Sequence, residues 1–410
     1  TFASSCRGSE IHITHCLKLD SDNDVLSATT RITNTGASRL WLERCDTPCI
    51  PIPAHYTKIL GFNGRWGNEF QLQSLNRFKG AYLRENRSGR TSHSSFPGVI
   101  VHTEHANESL GDAYGLHLGW SGNHHVRVEE LSSGRSYAQL GELFLPGEMQ
   151  LEPGESYTSP ILYGASSQSG LSTMSASFHR FIRAHLTRKK ISTKKRPVHF
   201  NTWEAVYFDL SFERLCSLAD KASEVGIERF VLDDGWFQNR KSDQSGLGDW
   251  YVDKSIFPSG LTPLIDHVHA NKMEFGLWVE PEMVNLDSDL YRTHPDWILK
   301  VPSAPTMLAR HQLVLDLTRD DVQNYLFERI NDLLTEYPIS YLKWDMNRAI
   351  HQPGDQYGRA VCHEQTVGVY RLLSRIRDAH PDVEIESCSS GGGRADYGIL
   401  VHTDRIWTSD

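Results

Sequence analysis

From Pro197 onward, short strand-like runs alternate with stretches of helical periodicity, and this alternation restricts the possible folds more than any other feature of the chain. The strand-like runs are Val198-His199-Phe200-Asn201-Thr202-Trp203, Phe230-Val231-Leu232-Asp233-Asp234, Phe275-Gly276-Leu277-Trp278-Val279-Glu280, Leu313-Val314-Leu315-Asp316-Leu317, residues 339–345, Val383-Glu384-Ile385-Glu386 and Arg405-Ile406-Trp407-Thr408. Helical spacing occupies 211–225, 262–271, 320–336 and 364–379. Strands joined through helices run parallel, because a parallel pair needs a crossover long enough to hold one. Seven runs that end mostly in polar or aromatic residues predict a (β/α)8 TIM barrel with its working face at the strand C-termini. A doubly wound dinucleotide sheet would want a glycine-rich first turn, and the first run has none. No eighth run precedes Asp410, so the expectation is a barrel incomplete at its C-terminus, before its last strand.

Residues 1–170 read differently. Ile11-His12-Ile13-Thr14, residues 25–32, Leu40-Trp41-Leu42 and His124-His125-Val126-Arg127-Val128 are short alternating runs punctuated by Gly, Asn, Asp, Ser and Pro, as in a β-sandwich (supersandwich). In 171–196, Met174, Phe178, Phe181, Ile182 and His185 recur at helical spacing, which predicts a linker helix packing its apolar face on a neighbouring domain. The expected division is therefore 1–170 N-terminal sandwich, 171–196 linker helix and 197–410 catalytic barrel.

The net charge of −9 over 410 residues argues against nucleic acid as a partner. The basic run Arg188-Lys189-Lys190 to Lys194-Lys195-Arg196 falls in the expected linker and reads as a solvated connection. No apolar stretch approaches the roughly 20 residues that span a bilayer, so no membrane partner is expected. Seven cysteines at 6, 16, 45, 49, 216, 362 and 388 show neither a metal-ligand spacing nor a disulfide framework, which predicts reduced thiols and a cytoplasmic location, with secretion left open because the chain starts at Thr1. Histidines near 102–105 and 124–125 lie on alternating strands and read as core or surface residues, not as metal ligands.

The chemistry is expected around Ile339-Ser340-Tyr341-Leu342-Lys343-Trp344-Asp345-Met346-Asn347-Arg348. In an extended chain Tyr341, Lys343 and Asp345 share one face. A cation beside a carboxyl favours its ionised form and lowers its pKa, which suits a nucleophile, although a structural ion pair at a strand end would look the same. The strand ends carry Trp203, Asp233, Asp234, Trp278, Glu280, Lys343, Asp345, Cys388 and Asp410: acids and aromatics, with no imidazole set for a metal. Aromatic plates with hydroxyl-accepting carboxylates suit a sugar, and glycoside hydrolysis needs two carboxyl groups whose pKa values are pushed apart. Asp345, next to Lys343, is the low-pKa candidate. Asp410, with Ile406 and Thr408 on its face, is the candidate acid.

The chain resembles the α-galactosidases (melibiases) of glycoside hydrolase family 36 through seven motifs in order: Asn201-Thr202-Trp203-Glu204-Ala205, Leu232-Asp233-Asp234-Gly235-Trp236-Phe237, Gly276-Leu277-Trp278-Val279-Glu280-Pro281-Glu282-Met283, Gln312-Leu313-Val314-Leu315-Asp316, Lys343-Trp344-Asp345-Met346-Asn347-Arg348, Glu386-Ser387-Cys388-Ser389-Ser390-Gly391-Gly392-Gly393-Arg394 and Trp407-Thr408-Ser409-Asp410. The resemblance implies a retaining double displacement on terminal α-galactosides of the melibiose and raffinose type. Asp345 would be the nucleophile and Asp410 the acid/base. Asp233 and Asp234 would hold galactose hydroxyls, Lys343 and Arg310 would add contacts, and Trp203 and Trp278 would wall the pocket. Cys388 and the Gly391 backbone would meet the 2-hydroxyl side, and Asn347 would orient its neighbours. It also implies a tetramer, no metal or organic cofactor, and a longer chain than these residues. Two enzymes of kindred chemistry stay open, a raffinose- or stachyose-synthase-like transglycosylase and an α-N-acetylgalactosaminidase. A non-catalytic sugar-binding protein would keep Asp233, Asp234 and the tryptophans but has no need of both Asp345 and Asp410.

Overall fold

The structure is a computed structural model, and it describes residues 1–5, 10–188, 191 and 193–410. Cys6 and the Lys189-Lys190 part of the basic run lie outside the described residues. Two compact units emerge, one of Thr1–Thr187 with Gly391–Val401 and Thr408–Asp410, the other of Arg188–Ser390 with His402–Trp407.

The first unit is antiparallel β structure. Its larger sheet runs in the order Phe2–Ser5, Ile11–Asp20, Val25–Asn34, Ile161–Ser167, Ala113–Gly119, Gly98–Thr103, Tyr56–Arg65 and Asn68–Asn76, with Ser156–Thr158 also paired to Val25–Asn34. A second sheet orders Arg44–Asp46, Ser136–Leu143, His124–Glu130 and Gly80–Asn86. Period-two burial along Val25–Asn34 turns Ala28, Thr30, Ile32 and Asn34 inward. Ile32 and Tyr157 from the larger sheet share one core with Cys45 from the smaller, closed by Leu42, Phe144 and Leu151. The helix Gly170–Phe181 belongs to this unit: Met174, Phe178 and Phe181 pack on Val25, Ala113, Tyr163 and Ala165. The approach is close at Gly115, where a Cβ would sit 3.1 Å from the Met174 sulfur. The helix expected to face a neighbouring domain thus covers the sheet that precedes it.

The second unit is built on a parallel sheet of six strands in sequence order: His199–Asn201, Arg229–Leu232, Glu274–Val279, Tyr341–Trp344, Glu384–Ser387 and Arg405–Ile406. Helices Phe212–Glu224, Thr262–Ala270, Asp320–Glu336 and Cys362–Ala379 supply the crossovers. Their ends follow local chemistry. Ser211 caps the first by accepting the Arg214 N–H, Pro263 opens the second, and Asp320 and Asp321 sit in the first turn of the third, where the helix dipole favours anions. The four middle strands are buried on both faces, as helix-covered parallel strands must be. Along Tyr341–Trp344, Leu342 and Trp344 take one face, while Tyr341 and Lys343 take the other with Arg229, Glu384 and Glu386.

One expected barrel strand is corrected. Gln312–Val314 pairs antiparallel with Met283–Asn285 in a separate two-stranded sheet, and Gly276 of the third parallel strand pairs directly with Tyr341 of the fourth. A continuous apolar run gave Leu313-Val314-Leu315 a strand but carried no information about its partner.

Candidate functional site

Asp345 follows the fourth parallel strand, and its carboxyl is buried. Two donors reach Oδ2: the Trp278 indole N–H at 3.1 Å and the Asn347 amide at 2.7 Å. Two backbone N–H groups reach Oδ1, from Met346 at 2.8 Å and Ser390 at 3.3 Å. Burial pushes this acid towards its protonated form, but the Lys343 charge and hydrogen bonds from Asn347, Cys388 and Trp278 outweigh it and hold the carboxyl below its usual range. Trp278 is also core, stacked on Phe237 with ring centroids 6.4 Å apart. The parallel register sets it beside Lys343, and its indole nitrogen reaches the acid.

Lys343 differs from its sequence reading. Its Nζ lies 3.2 Å from Asp233 Oδ2, and it stands 4.9 Å above the Trp407 ring. The ammonium therefore joins two acids, pairing directly with Asp233 and acting on Asp345 through its field. Asp233 also accepts the Asn201 amide at 2.6 Å and the Asp234 N–H at 2.9 Å. Asp234 is gripped by the Arg240 fork, Nε to Oδ1 at 2.9 Å and Nη2 to Oδ2 at 2.7 Å. Burial raises the Asp234 pKa, and Arg240 opposes that rise.

Trp203, expected at the end of the first strand, is half-buried at the start of the short helix Trp203–Val206, because the strand stops at Asn201, and its N–H meets Asn201 Oδ1. Arg310 is exposed, and its Nη1 lies 3.4 Å from Ser390 Oγ. Arg310, His311 and Ser390 all have left-handed backbones, a strain that clusters at working sites. Asn347 Oδ1 accepts the Ser390 hydroxyl at 3.0 Å, completing a link between Asp345 and the segment after Cys388.

Nine of the expected site residues fall in the second unit: Trp203, Asp233, Asp234, Trp278, Arg310, Lys343, Asp345, Asn347 and Cys388. Gly391 and Asp410 fall in the first. There Asp410 is exposed and its Oδ2 accepts the Trp66 indole N–H at 2.8 Å. Gly391 has φ +72°, and a Cβ on it would come within 2.5 Å of Glu69 Oε1, so both conformation and space require glycine.

Sequence reasoning gave no role to three members of the second unit's cluster. Arg240 comes from the loop after the second strand and carries no pattern that announces it. Asn201 stands in a recognised motif without a role. Glu280 was visible as a strand-end acid, yet nothing in the sequence tied it to Asp345. Among the described residues no group of three or more His, Cys, Asp or Glu is arranged to hold a metal ion. A cavity of about 630 Å³ in the first unit, bordered by Trp41, Glu43, Arg87 and Phe144, contains none of the residues expected to act.

Two family models match the chain. "Glycosyl hydrolase family 36 N-terminal domain" covers residues 7–152 and "Melibiase" covers 156–410. An α-galactosidase of Escherichia coli is 46% identical over 361 residues, 88% of this chain and 51% of that protein. AgaA of Geobacillus stearothermophilus is 38% identical over 392 residues, 94% of this chain and 54% of its own length. The chain thus spans about half the length of the curated relatives it matches. Among solved structures, the galactosidase domain of the α-galactosidase–sucrose kinase AgaSK superposes with a TM-score of 0.94 at 35% identity, covering all of this chain and 56% of that one. An AgaA variant solved with stachyose gives 0.93 at 36% identity, covering 98% of this chain and 56% of that one.

Proposed function

The chain belongs to the melibiases of glycosyl hydrolase family 36, and from that premise we propose that it is an α-galactosidase removing terminal α-linked galactose from oligosaccharides such as raffinose and stachyose. Raffinose and stachyose are the sugars bound in AgaA structures at 36% identity. The observation that carries the reading is the buried Asp345 carboxylate, kept ionised by Lys343 and oriented by Trp278 and Asn347.

In the proposed reaction the Asp345 carboxylate attacks the anomeric carbon while Asp410 gives its proton to the departing glycosidic oxygen. The C–O bond to the aglycone breaks as the galactosyl–Asp345 ester forms, with inversion. Asp410, now a carboxylate, takes a proton from water, whose oxygen attacks the same carbon and releases Asp345 with a second inversion. Asp233 and Asp234 accept galactose hydroxyls, with Lys343 and Arg310 donating beside them. Trp203 and Trp278 face the ring, and Cys388 and Gly391 meet the 2-hydroxyl side. No metal or organic cofactor enters a step.

The parallel sheet is read as six strands of a (β/α)8 barrel. Support comes from Lys343 on the fourth strand reaching Asp233 after the second, across an intervening strand. Two strand spacings are about 9–10 Å, and a curled sheet brings such ends within one lysine side chain. The proposed division is a sandwich over 1–170, a linker helix over 171–196 and a barrel domain over 197–410, although Gly170–Phe181 packs within the first compact unit and Gly391–Val401 and Thr408–Asp410 cluster with it. A homotetramer and a cytoplasmic location complete the proposal, to be tested by light scattering and cell fractionation.

The function is tested with p-nitrophenyl α-galactoside and with raffinose, following the released galactose by proton NMR. The α-anomer as first product is expected. First release of the β-anomer would overturn retention, and near-normal turnover by Asp345→Gly would overturn the nucleophile assignment.

A further inference from the structure

Glu280 follows the third parallel strand and has no part in the reaction above, yet its side chain is fully enclosed, at 0% exposure, and feels the Asp345 charge. Its Oε1 accepts the backbone N–H of Asn347 at 2.5 Å, and its Oε2 accepts the Gln312 amide at 2.9 Å. Neither partner is a cation. The charged groups facing it are Asp345, beyond the fourth strand, Arg310 from the loop before Gln312, and Arg240 from the loop after the second strand. Burial and the Asp345 charge both disfavour its ionised form, and the two arginines act against them. A second anion there would compete with the nucleophile, so charge is a poor reason for an acid at this position. Reach is a better one. The carboxyl spans from the strand end to the Asn347 backbone, and the Asn347 side chain then meets Asp345 Oδ2 at 2.7 Å and both Ser390 N and Oγ, at 3.2 and 3.0 Å.

We propose that Glu280 is a positioning residue for the nucleophile: its carboxyl fixes the Asn347 backbone, and the Asn347 carboxamide in turn fixes Asp345. This deepens the α-galactosidase reading and rests on it for the identity of the nucleophile. Without the Glu280 acceptor, the Asn347 N–H, aimed at a fully buried side chain, loses the partner it has there, and an unsatisfied donor is costly enough to move its loop. A glutamine at 280 keeps the Oε1 acceptor. Its new Nε2–H meets Gln312, whose buried Oε1 has no partner as placed and can turn to accept it.

The test compares wild type, Glu280→Gln, Glu280→Ala and Glu280→Asp on p-nitrophenyl α-galactoside. In parallel, the Asp345 carboxyl is titrated by carbon NMR, which does not require turnover. Glu280→Ala and Glu280→Asp are expected to lose about 10–100-fold in kcat, the equivalent of one hydrogen bond to a charged system, with KM within about 3-fold. Their Asp345 titration moves up by about one pH unit. Glu280→Gln retains kcat within about 3-fold, and its titration stays in place or moves down. Should the alanine protein fail to fold, the aspartate variant carries the comparison, since it keeps an acid but withdraws it by one methylene. The inference is overturned if Glu280→Gln loses as much as Glu280→Ala or Glu280→Asp, or if all variants match wild type in kcat and titration. Wild type that turns over no α-galactoside would sink the α-galactosidase reading alone, because the titration still reports whether Glu280 holds Asp345 through Asn347.

Discussion

Arg240→Met separates the electrostatics of the second unit from any assumption about substrate. Arg240 is 2% exposed and Asp234 6% exposed, and the guanidinium covers both carboxylate oxygens. Removing one partner of a buried ion pair costs about 3–5 kcal/mol, because the other charge stays buried without compensation. Two further Arg240 hydrogen bonds, to Ser245 O and Asn285 Oδ1, contribute less: Asn285 Oδ1 keeps the Leu247 N–H at 3.0 Å. For a unit of this size each kcal/mol is about 2–4 °C in Tm, so a fall of about 6–20 °C is expected. The pH dependence has a definite sign. Asp234 already titrates above its usual 3.8, and loss of Arg240 raises it further. An acid raised on folding gives its full stabilisation below the unfolded pKa and loses it as pH climbs towards the folded value. The deficit of Arg240→Met is therefore smallest near pH ~4 and grows towards neutrality. Calorimetry at a series of pH values measures it, with Asp234→Asn/Arg240→Met as the control that removes the stranded charge and should recover part of the loss at neutral pH. A deficit that stays flat with pH, or a double variant less stable than Arg240→Met at neutral pH, would refute the reasoning.

Trp278→Phe keeps the ring on Phe237 but removes the N–H from Asp345 Oδ2. The expected result is a fall of about 10-fold in kcat/KM with the acid limb of the pH–rate profile displaced upward, since a donor that lowers this carboxyl is gone; an unmoved limb would count against it. In the first unit, burial pushes His117 down to about 3 and His124 down to about 4, and His117 Nε2 accepts the Tyr397 N–H at 3.0 Å. A histidine lowered on folding stabilises above its unfolded value of 6.5, and that stability drains as pH falls from 6.5 towards those values. His117→Gln should flatten the decline of this unit's calorimetric transition between pH ~6.5 and ~4. Dialysis against a chelator should leave turnover of p-nitrophenyl α-galactoside unchanged; loss restored by a divalent cation would require a metal in the mechanism.

What the sequence disclosed follows from which interactions are local. Helical spacing over 211–225, 262–271, 320–336 and 364–379 meets helices at Phe212–Glu224, Thr262–Ala270, Asp320–Glu336 and Cys362–Ala379, because caps and amphipathic faces are written within a few residues. Strand partners are not local, and the Leu313 run was misassigned for that reason. The same limit governs the site. Asp233, Asp234, Lys343 and Asp345 were legible as strand-end chemistry, but the sequence paired Lys343 with the acid two residues away. In the folded unit its ammonium meets Asp233 instead, and that contact changes what the lysine can do. A direct Lys343–Asp345 ion pair would draw the ammonium away from Asp233, its partner at 3.2 Å. With Lys343 held by Asp233, and with Trp278 and Asn347 among the direct donors, Asp345 receives the field of the cation while Asp233 keeps its direct partner. The pairing that local pattern could not show is the one that lets a single lysine act on both buried acids, one by contact and the other by its field.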